Sequence, residues 1–332
     1  MRVLVTGAAG FIGFSLARHL LARGDHVIGL DNLNPYYDVR LKEARLALLH
    51  AEGGSRFTFL RQDFADYAGL TAALDDLAFD RIAHLGAQAG VRYSAENPQA
   101  YVHSNLAGHL NLLELARHRR VTAMVYASSS SVYGSNSKLP FAVEDRVDQP
   151  ISLYAATKKA DELMSETYAH LYRLPLTGLR LFTVYGPWGR PDMALWRFTQ
   201  KILAGDPLPV FNHGDMHRDF TYIDDCVAGI IASLDNPTAD DGQAKPGGST
   251  APHRIYNLGN SHSESLMQVI GLLEQNLGRK AVLDFQPMQP GEVRQSFADI
   301  AASTRDLDYR PSTAIADGIP QFVAWYKAYH GL

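Results

Sequence analysis

The sequence predicts an α/β protein built on a doubly wound parallel sheet of Rossmann type, with a smaller, partly discontinuous C-terminal substrate domain. Three observations predict it. Short, uninterrupted apolar runs alternate with helical stretches through the first half, the pattern of parallel strands covered by helices on both faces. A glycine triplet, Gly7-Ala8-Ala9-Gly10-Phe11-Ile12-Gly13, joins the first such strand to the first helix. After about residue 182 the rhythm breaks into "VYGPWGRPDM" and "VFNHGDMHRDF", Gly- and Pro-rich stretches of the kind that form binding loops.

"RVLVT" (2–6) reads as the first strand, 11–23 as an amphipathic helix and "HVIGL" (26–30) as the second strand. "RFTFL" (56–60), "RIAHL" (81–85), "AMVYA" (123–127) and "LTGLRL" (176–181) continue the series. The long helical stretches are 98–119 and 152–172. Residues 236–252 are polar and rich in Gly and Pro, hence a surface loop, and helices return near 265–277 and 314–330. The expected division is a dinucleotide-binding domain, 1–181 plus about 222–257, and a substrate-binding domain, about 182–221 plus 258–332.

With 332 residues the chain has ample length for a core. A net charge of -4 gives no basic field for nucleic acid or an anionic membrane. The single cysteine, Cys226, excludes an internal disulfide and a cysteine metal site and fits a reducing cytoplasm. No metal is expected. The apolar start, "MRVLVTGAAGFIGF", is interrupted by glycines and followed by Arg18 and His19, which does not read as a signal or spanning segment.

Gly7, Gly10 and Gly13 between a strand and a helix let the backbone turn tightly and approach a pyrophosphate, which the helix N-terminus then receives. Asp31, after the second strand, suits the adenosine ribose hydroxyls and repels a 2'-phosphate, which favours NAD over NADP. Asp63, after the third strand, is a candidate for adenine, or an ordinary acidic turn residue.

"ASSSSVYG" (127–134) puts four serines at the carboxyl end of a predicted parallel strand, where open α/β sheets bind ligands. Serines are also common where a strand gives way to a turn. Tyr154 and Lys158 are four apart at the start of a predicted helix, so phenol and ammonium share a face. A free tyrosine ionises near pH 10, too high for a base at neutral pH, and a cation beside it favours the phenolate.

The glycine motif, a Ser three places before "VYG", and Tyr-x-x-x-Lys together resemble the extended short-chain dehydrogenase/reductase family, and the resemblance covers essentially the whole chain. It implies Ser129, Tyr154 and Lys158 as the catalytic set. It also implies that Phe11 and Ile12, Asn32 beside Asp31, Phe64 beside Asp63, and Ala87 and Gln88 of "HLGAQAGVRYS" (84–94) face the cofactor.

Residues 30–46, 179–194 and 210–225 closely resemble UDP-glucuronate 4-epimerases. That resemblance implies a UDP-sugar partner, with Val210, Phe211 and Asn212 by the uracil and Arg218 on the diphosphate. Thr183 stands where UDP-galactose epimerases carry an asparagine. With Ser129, Ser130 and Ser131 it would form a hydroxyl-lined pocket for a C6 carboxylate, with Arg92 and Arg190 as nearby cations. Arg294 in "PGEVRQSFAD" (290–299) binds diphosphate or only decorates a loop. Helices 98–119 and 152–172 would pair in a homodimer. Related dehydratases and decarboxylases place carboxylates where Ser130 and Ser131 stand. The rival readings are a UDP-glucose 4-epimerase and a non-catalytic NAD-binding sensor.

Overall fold

The structure, a computed structural model, describes residues 1–289 and 293–332. β1 (Arg2–Thr6) turns through the glycine motif into α1 (Phe11–Arg23), which packs along β2 (His26–Asp31). Gly24 ends α1 at φ 98°, a left-handed conformation that glycine adopts without strain. α2 (Val39–Gly53) begins where the Asp38 side chain accepts from Arg40 N. β3 (Phe57–Arg61), α3 (Tyr67–Ala73) and β4 (Arg81–His84) follow. α4 (Tyr93–Glu96) and α5 (Pro98–Tyr101) lead through a π-helical turn, Val102–Ala107, into α6 (Gly108–Arg119). The helix expected over 98–119 is therefore broken. The π turn carries Asn105, whose buried amide bonds to the loop after β4, and such turns are frequent where a helix must re-aim a side chain.

β5 (Ala123–Ser129) extends two residues beyond the expected strand, so the serine run begins inside the sheet. α7 (Leu153–Tyr172) is capped by Ser152 Oγ, which accepts from Ala155 N at 3.1 Å. β6 (Leu176–Leu181) is buried at every position. The remainder comprises β7 (Thr183–Tyr185), α8 (Ala194–Ala204), β8 (Pro207–Val210), β9 (His217–Arg218), β10 (Phe220–Tyr222), α9 (Ile223–Asp235), β11 (His253–Leu258), β12 (Glu264–Ser265), α10 (Leu266–Leu277), β13 (Val282–Phe285), β14 (Gln295–Ser296), α11 (Ala301–Leu307) and α12 (Ile315–His330).

Seven strands form one parallel sheet in the order β11-β6-β5-β4-β1-β2-β3. Apolar side chains cover both faces. One core gathers Phe14, Leu16 and Leu20 of α1 with Val227 and Ile230 of α9 and continues to Phe322 of α12. The other holds Leu112, Leu113 and Leu115 of α6 against Leu4, Ile82 and Met124 of the sheet. The chain runs from β1 outward through β2 and β3, then crosses back to β4 on the other side of β1. The carboxyl ends of β1 and β4 therefore diverge into a crevice, the place where such sheets bind ligands. Smaller sheets, β10-β7, β12-β9-β14 and β13-β8, are formed by strands that follow β6 in the chain. No helix among the described residues is long and apolar enough to cross a membrane.

Candidate active site

A cleft of about 400 Å³ opens at the β1/β4 crevice. Its floor is the glycine turn. Gly7 lies at φ 70°, with its N–H on Leu30 O at 2.8 Å, and Gly10 N donates to Gly7 O at 2.8 Å. A Cβ on Gly7 would stand 2.8 Å from the Gly86 backbone, and one on Gly13 would stand 2.1 Å from Gly7 O. Only glycine fits at either position. The α1 N-terminus has neither a capping side chain nor an acidic first-turn residue, and Gly10, Phe11, Ile12 and Gly13 line the cleft. Backbone donors and the positive dipole end thus face the space, as a pyrophosphate requires.

Asp31 closes β2 and accepts from Ala9 N at 3.2 Å and Leu33 N at 2.8 Å. Lys42 of α2 reaches the same carboxylate at 3.3 Å, both side chains being buried. Asn32 and Phe64 line the cleft. Asp63 does not line it. Its carboxylate accepts from Ala65 N at 2.9 Å and Asn32 Nδ2 at 3.2 Å and faces His103 Nε2 at 3.2 Å. Burial would raise its pKa, but these donors outweigh burial and hold it below the usual carboxylate range. Ala87 and Gln88 line the wall after β4. Gln88 is clamped by Asn105, which accepts from its N–H at 2.8 Å and donates to its carbonyl at 3.1 Å and to Thr157 Oγ1 at 3.0 Å.

Ser129, Ser130, Ser131, Tyr154, Lys158 and Thr183 all line the same cleft. Ser129 Oγ accepts from Ser131 N at 3.1 Å, which shapes the turn that presents the run. A hydroxyl so used keeps its proton for another acceptor. Tyr154 sits at the start of α7, its ring edge-on to Tyr101 at 6.1 Å. Lys158, one turn on, donates to Asp161 Oδ2 at 3.1 Å. Arg190 lines the cleft and is held by Asp192 through Nε at 2.9 Å and Nη2 at 2.7 Å. Burial works to lower the Arg190 pKa, and the Asp192 carboxylate more than offsets it. Tyr36 OH also donates to Asp192, at 3.3 Å.

Six expected residues stand off the cleft, in a second group. Arg92 follows Val91 of the cleft wall and places its guanidinium 5.1 Å from the centre of the Phe211 ring. Val210 is buried at the end of β8, and Asn212, at φ 50°, donates to Asp215 O at 2.7 Å. Arg218 Nη1 donates to His217 O at 2.9 Å and Arg294 O at 3.2 Å. Arg294 is 68% exposed and pairs with Asp215 at 2.8 Å. Of "PGEVRQSFAD", residues 290–292 lie outside the described residues.

Sequence reasoning missed Lys42, Tyr36, Asp192 and Asp161. The first two lie in the stretch 30–46 that carries the epimerase resemblance, and Asp192 in 179–194. Asp161 had a plainer signal, its i+3 spacing from Lys158 on one helix.

The family model described as GDP-mannose 4,6 dehydratase matches residues 4–322. Protein CapI of Staphylococcus aureus is 47% identical over 335 residues, 99% of this chain and 99% of that protein. UDP-glucuronate 4-epimerase 1 of Arabidopsis thaliana is 48% identical over 334 residues, 99% of this chain and 77% of that protein. UDP-glucuronic acid 4-epimerase from Bacillus cereus, solved in complex with UDP-glucuronic acid and NAD, superposes with a TM-score of 0.88 at 35% identity, covering 99% of this chain and 100% of that one. Matched from end to end in both sequence and fold, the chain belongs to the extended short-chain dehydrogenase/reductase family, in the group that the GDP-mannose 4,6 dehydratase model describes.

Proposed function

We propose that the protein is a UDP-glucuronate 4-epimerase, interconverting UDP-glucuronate and UDP-galacturonate with tightly bound NAD. One observation carries the reading: Ser129, Ser130, Ser131 and Thr183 line the same cleft as Tyr154 and Lys158. Related dehydratases carry a carboxylate pair where Ser130 and Ser131 stand, and related decarboxylases a carboxylate where Ser131 stands, and serine cannot serve as a carboxylate acid–base. Relatives named UDP-glucuronate 4-epimerase agree with the assignment.

NAD⁺, when bound, accepts the hydride of sugar C4 and returns it to the opposite face of the 4-keto sugar. Gly7, Gly10 and Gly13 leave room for its pyrophosphate, and Asp31 presents a carboxylate to its ribose hydroxyls. Tyr154 takes the O4 proton while C4 is oxidised and gives it back on reduction. Ser129 hydrogen-bonds O4 and keeps it within reach of the phenol oxygen. Lys158 supplies positive charge near the developing phenolate.

The 4-keto uronic acid is a β-keto acid, and it loses CO₂ when its C5–C6 bond lines up with the carbonyl π system. Ser130, Ser131 and Thr183 hold the carboxylate out of that alignment by hydrogen bonds, without offering an acid. The group around Val210, Phe211, Asn212 and Arg218 then receives the uridine diphosphate, with Arg294 at its solvent edge. The division into a dinucleotide-binding part, 1–181 plus about 222–257, and a sugar-binding part belongs to the same proposal.

A homodimer is part of the reading. Val102 and Leu110, at and after the π turn, are exposed, as are Leu163 and Leu171 of α7 at 57% and 60%. A second copy of these two helices would cover them. Residence in the cytoplasm is supported by the single, buried, unpaired Cys226. The function is tested by offering UDP-glucuronate and UDP-glucose in separate assays: faster turnover of the uronic acid supports it, and turnover of UDP-glucose alone reassigns the protein.

A further inference from the structure

Lys158 and Asp161 are both buried on α7, their side chains 3% and 1% exposed, with Nζ 3.1 Å from Oδ2. The groups around them leave little other charge. On α7, Glu162 is taken by Arg180 of β6, which donates through Nε at 2.9 Å and Nη2 at 3.0 Å, and by Lys159 at 3.3 Å. His109 on α6 and His84 on β4 are held neutral by burial, His84 near a pKa of about 3 and His109 well below its ordinary value. Tyr126 on β5 is likewise kept protonated by burial. Asp161 is therefore the negative charge that answers Lys158. Its Oδ1 is buried and has no hydrogen-bond partner among the described residues. A half-satisfied buried carboxylate is a poor stabilising device, since such pairs are commonly replaced by apolar groups at no loss. It stands, however, beside the lysine that lines the cleft, one turn beyond Tyr154.

We propose that Asp161 is a positioning residue for proton transfer at Tyr154: it fixes the Lys158 ammonium and offsets its charge, so that Lys158 by itself does not hold Tyr154 ionised. The inference rests on the functional reading above. Arg190, the other cation lining the cleft, is answered by Asp192, so the further positive charge that would favour the Tyr154 phenolate is that of an oxidised nicotinamide ring, and the base exists when the sugar can be oxidised. In the step itself the O4–H bond breaks and its proton moves to the Tyr154 oxygen; Asp161 exchanges no proton. Burial pushes the Asp161 carboxyl up to about 6 against the pull of Lys158, so its charge is present at neutral pH and fades in mild acid.

Asp161→Asn keeps the size and an acceptor for Lys158 but removes the charge. The holoenzyme is titrated without sugar, reading the ultraviolet absorbance of ionised tyrosine, with Tyr154→Phe in each background subtracted to isolate Tyr154. The account expects the Tyr154 signal to appear about one pH unit lower in Asp161→Asn, the size of removing one unit charge several ångströms away in a partly screened site. The same midpoint in both proteins overturns it. Should Asp161→Asn not fold, Asp161→Ser is read the same way; if neither folds, Asp161 is a stability residue and the proposal is overturned. Because no sugar is added, failure to turn over UDP-glucuronate would remove the functional reading without touching this result.

Discussion

Ser128 Oγ donates to Glu162 Oε1 at 2.7 Å, so the first of the four serines lines the cleft but has its hydroxyl proton committed to the core. Glu162 in turn holds Arg180, whose Nη1 donates to Tyr133 OH at 3.1 Å, and Tyr133 OH donates to Asn257 Oδ1 at 2.7 Å. The hydroxyl-rich turn is thus anchored from behind by a buried ion pair between α7 and β6, continued to β11 by hydrogen bonds through Tyr133. Burial would raise the Glu162 pKa, and the Arg180 charge outweighs it and keeps the carboxylate ionised.

Glu162→Ala strands the Arg180 cation. It is expected to cost about 3–5 kcal/mol of stability, the usual loss when one partner of a buried pair is removed. Ser128→Ala should cost less, about 1.5–3 kcal/mol, that of one hydrogen bond to a charged group. Urea denaturation of the two variants checks both, and equal losses would contradict the account of Arg180.

Gly13→Ala places a methyl 2.1 Å from Gly7 O, so the turn must open. The expected outcome is protein purified with little or no dinucleotide, whereas the unaltered protein releases NAD(H) on denaturation. Chromatography of the released nucleotide reads both, and recovery of mostly NADP(H) from the unaltered protein would remove the role given to Asp31.

Tyr154→Phe keeps the ring and deletes the ionisable hydroxyl. Turnover is expected to fall by roughly 10²–10⁴-fold, the range for a general acid–base residue, with nucleotide affinity little changed. Near-normal turnover would mean that another group carries the proton.

Thr183→Val tests the carboxylate pocket at nearly constant shape. A carboxylate oxygen left without its donor costs about 1–3 kcal/mol, so use of UDP-glucuronate should weaken relative to UDP-glucose. Freed to rotate, part of the 4-keto acid should lose CO₂, and mass spectrometry should detect a UDP-4-keto-pentose. Unchanged preference and no pentose would move the carboxylate to Arg190, Arg92 or the backbone.

What could be read from the sequence was what lies close along the chain. The glycine turn, the strand into the serine run and the Tyr154–Lys158 face are each complete within a few residues, and local periodicity fixes them. β11 was harder, because "HRIYNL" mixes polar residues into a buried strand. His253 is satisfied by Tyr126 OH and Glu166 Oε2, each at 2.8 Å, and Asn257 by Tyr133. Contacts between distant segments left no local mark at all: Tyr36 on Asp192, Arg92 on Phe211. The break in 98–119 was hidden for the same reason, since its cause is the Asn105 clamp on Gln88.

The central claim is that C4 is inverted by oxidation and reduction within one cleft, with no chemistry at C5 or C6. Nuclear magnetic resonance of UDP-glucuronate incubated with the purified protein in deuterated water, with no cofactor added, tests this most directly. The account predicts UDP-galacturonate that carries protium at both C4 and C5, because the hydrogen of C4 never reaches solvent and C5 is never deprotonated. Deuterium at C5, or a UDP-pentose as the main product, would contradict it.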